Sequence, residues 1–286
     1  MPLRHLIVVT ALVAAIRIAT NTRAAEPPAD ADTAPLHVVD FEYFALDIPF
    51  YHERVRRNMY RANTHGERVH VYQVTLSDGT VGFGESPSDE RRRFDAAVGR
   101  RAVGVLHDRK IGVGMQVALL DALGKAWNVP AHRLIGPKVR DRVEIAWWAI
   151  DMAPEEWAAE IAESVRRGYT SIKLKARPWR HLHAQLEAAS AAAPDGYTFA
   201  IDFNGFLINA EAAERMLRRL DPLAHVAIYE SPYYLKQDIP GAVRLCEAVE
   251  KMVVEHMNRD VLRAEASDGL LVAANYMPLA RVRNQN

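Results

Sequence analysis

Apolar and polar positions change their period twice along the chain. His37 to Phe44 and Val69 to Leu76 read as strands, the second rich in β-branched and aromatic residues. Ser77-Asp78-Gly79-Thr80 follows, and Asp-Gly between two apolar runs predicts a hairpin into Val81–Glu85. Residues 36–86 therefore predict a small antiparallel sheet. Met115, Leu119, Leu120, Leu123 and Trp127 then recur at intervals of three and four, one face of a helix that Pro130 stops.

From Val143 onward strand and helix patterns alternate. The strands are expected at Val143–Ala149, Ser171–Lys175, Phe199–Asp202, Val226–Glu230, Met252–Glu255 and Leu270–Ala274. Pro154 opens one intervening helix and Gly168 closes it. A second runs from Ala210 to Leu220 behind the N-cap Asn209, and a third begins near Pro240. Strand-to-strand spacing stays near 27 residues. That alternation predicts a parallel sheet with crossover helices. No Gly-rich phosphate loop follows the first strand, which favours an α/β fold of the (β/α) barrel type over a dinucleotide-binding fold.

The strand ends carry the chemistry. Ser171-Ile172-Lys173-Leu174-Lys175 puts two lysines two apart, on one face of a strand. The next strands end on Asp202, Glu230 and Glu255, at intervals of 27, 28 and 25 residues counted from Lys175. One strand-helix unit separates each from the next, so all three carboxylates reach the C-terminal rim, where barrel enzymes do their chemistry. Converging carboxylates repel and take up protons unless a cation sits among them. Oxygen-only donors select Mg²⁺, or Mn²⁺, over zinc. Neighbouring ammonium groups lower each other's pKa, which suits a lysine to act as a base.

These residues resemble the enolase superfamily, in its mandelate racemase and muconate-lactonizing branch. The resemblance covers about residues 36 to 275. It rests on Lys173-Leu174-Lys175, Asp202-Phe203-Asn204, Tyr229-Glu230-Ser231-Pro232 and Val254-Glu255-His256. Gly82-Phe83-Gly84-Glu85, the Ala118–Ala126 helix and Leu134-Ile135-Gly136 support it. It implies Mg²⁺ ligands at Asp202, Glu230 and Glu255. It implies Lys175 as the base that removes the proton α to a substrate carboxylate, and Lys173 as the group that neutralises that carboxylate. Asn204 would sit at the edge of the metal or substrate. A capping α+β domain, residues 36–135, would close the mouth of the barrel with mobile loops, the matching stretch being Asp47 to Gly66. Tyr51, His52, Arg54 and Arg57 there are candidate specificity contacts, against the plainer reading of a solvated basic loop. The implied reaction passes through an enediolate, and reprotonation, loss of a β-hydroxyl or loss of a ring-opening group would give racemase or epimerase, dehydratase or cycloisomerase activity. The substrate would be a small carboxylic acid, and the family suggests a homo-oligomer.

The residue on the opposite face of the substrate is missing from the pattern. Leu270–Tyr276 contains no lysine or histidine; His256, directly after Glu255, is a candidate substitute acid, against the alternation that turns adjacent strand residues to opposite faces. The expected barrel, residues 136–286, has about six strands and reads as C-terminally truncated. A second function follows from that reading: a catalytically inactive homologue, an exported metal-binding or structural remnant. A Schiff-base aldolase using Lys175 is a third, and it would need no carboxylate triad.

Composition adds little beyond exclusions. The chain has 36 basic and 36 acidic residues, so no long-range field draws it to nucleic acid. The single Cys246 excludes an internal disulfide. At the N-terminus, Arg4 and His5 precede an apolar run from Leu6 to Ile16, with small residues near Ala24. Residues 1–25 thus read as an export signal, its apolar run too short for a membrane-spanning helix, and residues 26–35 as a linker. The expected destination is the periplasm or the exterior.

Overall fold

The computed structural model describes residues 35–62, 66–108, 110–138, 140–256 and 258–271. The expected export signal and the end of the sixth barrel strand, 272–274, lie outside them. No helix among the described residues is long and apolar enough to cross a membrane. The chain divides into two compact units. Of the described residues, one holds those up to Ile48 and from Glu67 to Val143; the other holds those from Pro49 to Gly66 and from Glu144 on.

The first unit is a three-stranded antiparallel sheet covered by a helix. Strands β1 (Val38–Asp47), β2 (Arg68–Leu76) and β3 (Val81–Ser86) lie in sequence order. The Asp78-Gly79 turn joins the last two, with Gly79 at φ 84° and the Thr80 N–H bonded to Asp78 Oδ1 at 2.9 Å. The long helix of this unit, Val113–Ala126, buries Met115, Leu119 and Leu123 against Tyr72, Val74 and Leu76. Contact is very close at β3. A Cβ on Gly84 would stand 2.1 Å from the Gly114 carbonyl oxygen, and one on Gly82 would stand 2.3 Å from that of Ala118. Only glycine lets helix and strand approach so far, which explains the alternating Gly82-Phe83-Gly84.

In the second unit six strands form one parallel sheet in sequence order: β4 (Trp147–Ala149), β5 (Ser171–Lys175), β6 (Thr198–Asp202), β7 (Val226–Glu230), β8 (Met252–His256) and β9 (Gly269–Leu271). Crossover helices separate the first five: Pro154–Arg166, Leu182–Ala192, Ala210–Leu220 and Ile239–Ala248. Their starts match the sequence signals. Pro154 stands at the first helical position, Asn209 Oδ1 accepts from Ala212 N–H at 2.9 Å, and Asp238 Oδ1 accepts from Gly241 N–H at 2.9 Å. Ile172, Leu174, Phe199 and Ile201 are fully buried in a core that also takes Trp157 and Leu217 from the helices. Among the described residues the sheet is open.

Two expectations fail locally. Val143 to Ala146 are not strand, because β4 pairs with β5 only from Trp147 onward, opposite Ile172–Leu174. Val143 and Ile145 are left 74% and 72% exposed. The stretch expected as a loop, Asp47 to Gly66, contains a helix, Glu53–Ala62. Val55 and Met59 attach it to the second unit's core, and Arg54 pairs with the buried Glu160.

Candidate active site

Register decides which side chains meet. Lys175 stands opposite Asp202, and Asp202 opposite Glu230, so one row crosses three strand ends. Lys173 lies two residues back on the same face of β5. Glu230 stands opposite Val254, which sets Glu255 one step beyond the row. Tight turns hold these ends. Asn204 and Ser231 adopt left-handed backbone conformations, φ 47° and 41°, directly past the strands. The Phe203 N–H bonds to the Glu230 carbonyl at 3.0 Å, and the Ser231 N–H to that of Val254 at 2.8 Å. Two of the five non-glycine residues with positive φ among the described residues thus stand at the rim that carries the functional groups.

The charges form one cluster. Lys173 Nζ lies 3.1 Å from Asp202 Oδ2 and 2.5 Å from Glu230 Oε2. Lys175 Nζ bonds to Asp202 Oδ2 and donates to Asn204 Oδ1 at 3.2 Å. The Asp202 and Glu230 side chains are only 1% and 4% exposed. Burial pushes the Asp202 carboxyl up, but the two ammonium groups outweigh it and hold the group below its usual range. Glu230 goes the other way: burial, then the charge on Asp202, raises it to about 7 against the pull of Lys173. Burial would depress Lys173, yet the two carboxylates hold it above its ordinary value. It is a fixed positive charge, suited to receive an anion.

Glu255 has other partners. Its Oε1 accepts from Ser231 Oγ and from His256 N–H, both at 2.7 Å, and its Oε2 accepts from Leu235 N–H at 3.1 Å. Among the described residues no three acidic, His or Cys side chains stand close enough to chelate a metal ion. The donors nonetheless fit a hard divalent cation in kind, being oxygen-only and on consecutive strand ends. In this arrangement the Lys173 ammonium bridges Asp202 and Glu230.

A cavity of 340 Å³ opens at the same rim, lined by Asn204, Ser231, Tyr234, Lys236, Glu255, His256 and Asn258. The expected residues Asn204, Glu255 and His256 meet there. Tyr234 and Asn258 sit in loops and Lys236 in a single 3-10 turn, Leu235–Gln237, all too short for a period to say which way a side chain faces. Ser231 carried a signal, since it follows Glu230 directly. Tyr51 and Arg54 do not line this cavity. Tyr51 is exposed, with the Arg167 guanidinium 4.6 Å from its ring centre, and Arg54 is engaged by Glu160.

Comparison with known proteins agrees with the strand-end pattern. Residues 156–275 match the family described as "Enolase C-terminal domain-like". A Streptomyces coelicolor protein named "Probable glucarate dehydratase" is 30% identical over 187 residues, 54% of this chain and 42% of that protein. The chain thus spans less than half the length of that curated relative. The L-Ala-D/L-Glu epimerase of Bacillus subtilis superposes with a TM-score of 0.69 at 17% identity, over 87% of this chain and 79% of that one. Muconate cycloisomerase from Pseudomonas fluorescens does so at 0.68 and 20% identity, over 87% and 75%. At such identities the two structures speak for the fold, which in this chain is the six-stranded parallel sheet with an N-terminal α+β unit. Residues 156–275 are thus similar to the enolase C-terminal domain-like family, and the chain shares the fold of the epimerase and muconate cycloisomerase structures.

Proposed function

We propose that this chain carries the half-site that removes a proton α to a carboxylate in a small organic acid, giving an enediolate. The observation that carries the reading is the row Lys175–Asp202–Glu230 with Lys173 beside it on one sheet face. Lys173, held protonated by two buried carboxylates, binds the substrate carboxylate and offsets the charge that grows on it. Lys175, oriented by Asp202 and Asn204, is the base: it gives its own proton to solvent water and then takes the α-proton. Asn204, at the edge of the rim cavity, donates to a substrate oxygen. Asp202, Glu230 and Glu255 would hold Mg²⁺, which would supply positive charge to stabilise the developing dianion. Racemisation, β-elimination and cycloisomerisation share this first step. His256 and Lys236, both lining the cavity, would serve as proton donors for the second.

Thermal melts of the full chain with and without MgCl₂ test the metal assignment. Mg²⁺ at 100 times its dissociation constant should stabilise the parent by about 2.7 kcal/mol. Asp202→Asn should lose that response. Exchange of the α-proton with D₂O, followed by NMR across a panel of acid sugars and hydroxy acids, tests the chemistry. Exchange that survives Lys175→Ala, or a parent that melts cooperatively with no response to Mg²⁺, refutes the reading and leaves a binding remnant.

A further inference from the structure

The second unit carries another concavity, lined from the segment after β5 through the start of the next helix, and from the loop after β6 with its helix. It is an open groove of 750 Å³, in the size range of small-ligand sites. Its rim is basic: Arg177, Arg180, Arg215 and Arg219 line it, together with His181 and His183, and no acidic residue does. Leu182, Leu207 and Met216 supply an apolar floor.

The arginines are not equivalent. Arg180 meets Asp151 at 3.2 Å, and Arg215 pairs with Glu211 one helical turn away. Arg177 is only 8% exposed, and its guanidinium donates to the Ala176 carbonyl at 2.7 Å. Among the described residues no carboxylate pairs with it or with Arg219. A guanidinium has five N–H donors and cannot shed its charge at ordinary pH. Burying it beside one carbonyl and no anion is costly, and a ligand anion removes that cost. The loop above adds a second unusual feature. Ile208 lines the groove, is 78% exposed, and has φ 72°, a strained backbone for a β-branched residue. Its place presents apolar surface beside the cationic rim.

We propose that this groove binds an amphipathic carboxylate, with the anionic head on Arg177 and the hydrocarbon body along Leu182, Leu207, Met216 and Ile208. Charge complementarity selects the head, since the rim has no acid, and the apolar floor selects the body. The site is independent of the proton-abstraction reading, because it involves none of Lys173, Lys175, Asp202, Glu230 or Glu255.

Titration calorimetry of the full chain with sodium octanoate tests it, with octan-1-ol as the neutral twin and sodium phosphate as the bare anion. Octanoate should bind one to one, at least tenfold more tightly than either. Arg177→Gln should weaken octanoate about tenfold or more, as loss of a charge-assisted pair demands, and leave octan-1-ol unchanged. Ala212→Glu places an acid in the groove at the first turn of a helix, where a carboxylate is well tolerated, and should weaken octanoate similarly. It carries the test if Arg177→Gln fails to fold. No octanoate binding, equal affinity for octan-1-ol or phosphate, or parent-like octanoate affinity in the folded variants overturns the proposal.

Discussion

Replacing Arg54 by alanine strips the counter-ion from Glu160, whose side chain is 1% exposed. Glu160 Oε1 accepts from Arg54 Nε at 2.5 Å, and Oε2 accepts from Trp147 Nε1 at 2.8 Å. Two unit charges about 4 Å apart attract by about 4 kcal/mol at an effective dielectric constant near 20. Arg54 is 25% exposed, so solvent screens part of that, and the Trp147 bond survives the substitution. Breaking a buried pair from one side costs about 3–5 kcal/mol, and these two features place Arg54→Ala at the lower end, about 3 kcal/mol. In a domain of this size that lowers the melting temperature by roughly 6–12 °C. Urea unfolding gives the free energy directly, and two partner variants isolate its cause. Adding Glu160→Gln to Arg54→Ala removes the stranded charge and should recover at least about 1 kcal/mol. Arg54→Met with Glu160→Met should cost less than Arg54→Ala, because no charge is stranded and the remaining loss is that of the Trp147 Nε1 bond, about 1 kcal/mol. An Arg54→Ala cost below about 1 kcal/mol, or no recovery in the double variant, would refute the reasoning. The result bears on function too, because Arg54 fixes the helix Glu53–Ala62 to the second unit, aided by Arg57 with Glu156 and by Asn58 Nδ2 to Glu156 at 3.0 Å.

Two further outcomes follow from packing and burial. Gly84→Ala drives a methyl group into the Gly114 carbonyl and should cost about 3 kcal/mol or more, whereas Gly136→Ala, with open space around it, should stay within about 0.5 kcal/mol in the same denaturation assay. Equal effects would remove the close-approach argument. Burial, reinforced by the charge on Asp268, pushes the Cys246 thiol up to about 12. Only the thiolate reacts, so modification by a disulfide reagent at pH 8 should run about a thousandfold slower than for a free thiol, rising about tenfold per pH unit to pH 10. A native protein labelled at the free-thiol rate would show Cys246 to be accessible and ordinary.

Local pattern read some parts of this chain well and others poorly. The strand ends were legible because a period of two fixes the face of a residue and near-constant spacing fixes which strands are neighbours; Lys175, Asp202 and Glu230 fall in one row for those reasons. The helix Glu53–Ala62 was not legible. Four arginines in ten residues read as a solvated loop, and the two that matter most are answered by Glu156 and Glu160, about 100 residues later. Val143-Glu144-Ile145 alternates as a strand should, yet pairs with no strand among the described residues.

By itself the sequence determined the alternation of strand and helix, the caps, the hairpin turn and the identity of the charged strand ends, because each depends on residues within one or two turns of one another. Tertiary structure alone decided how those charges pair. Lys173 serves Asp202 and Glu230 together, while Glu255 turns to Ser231 and the Leu235 amide. It also left Arg177 buried with no carboxylate partner among the described residues. A buried charge is governed by which groups from distant segments reach it and how much water is left, and neither quantity is written in local sequence.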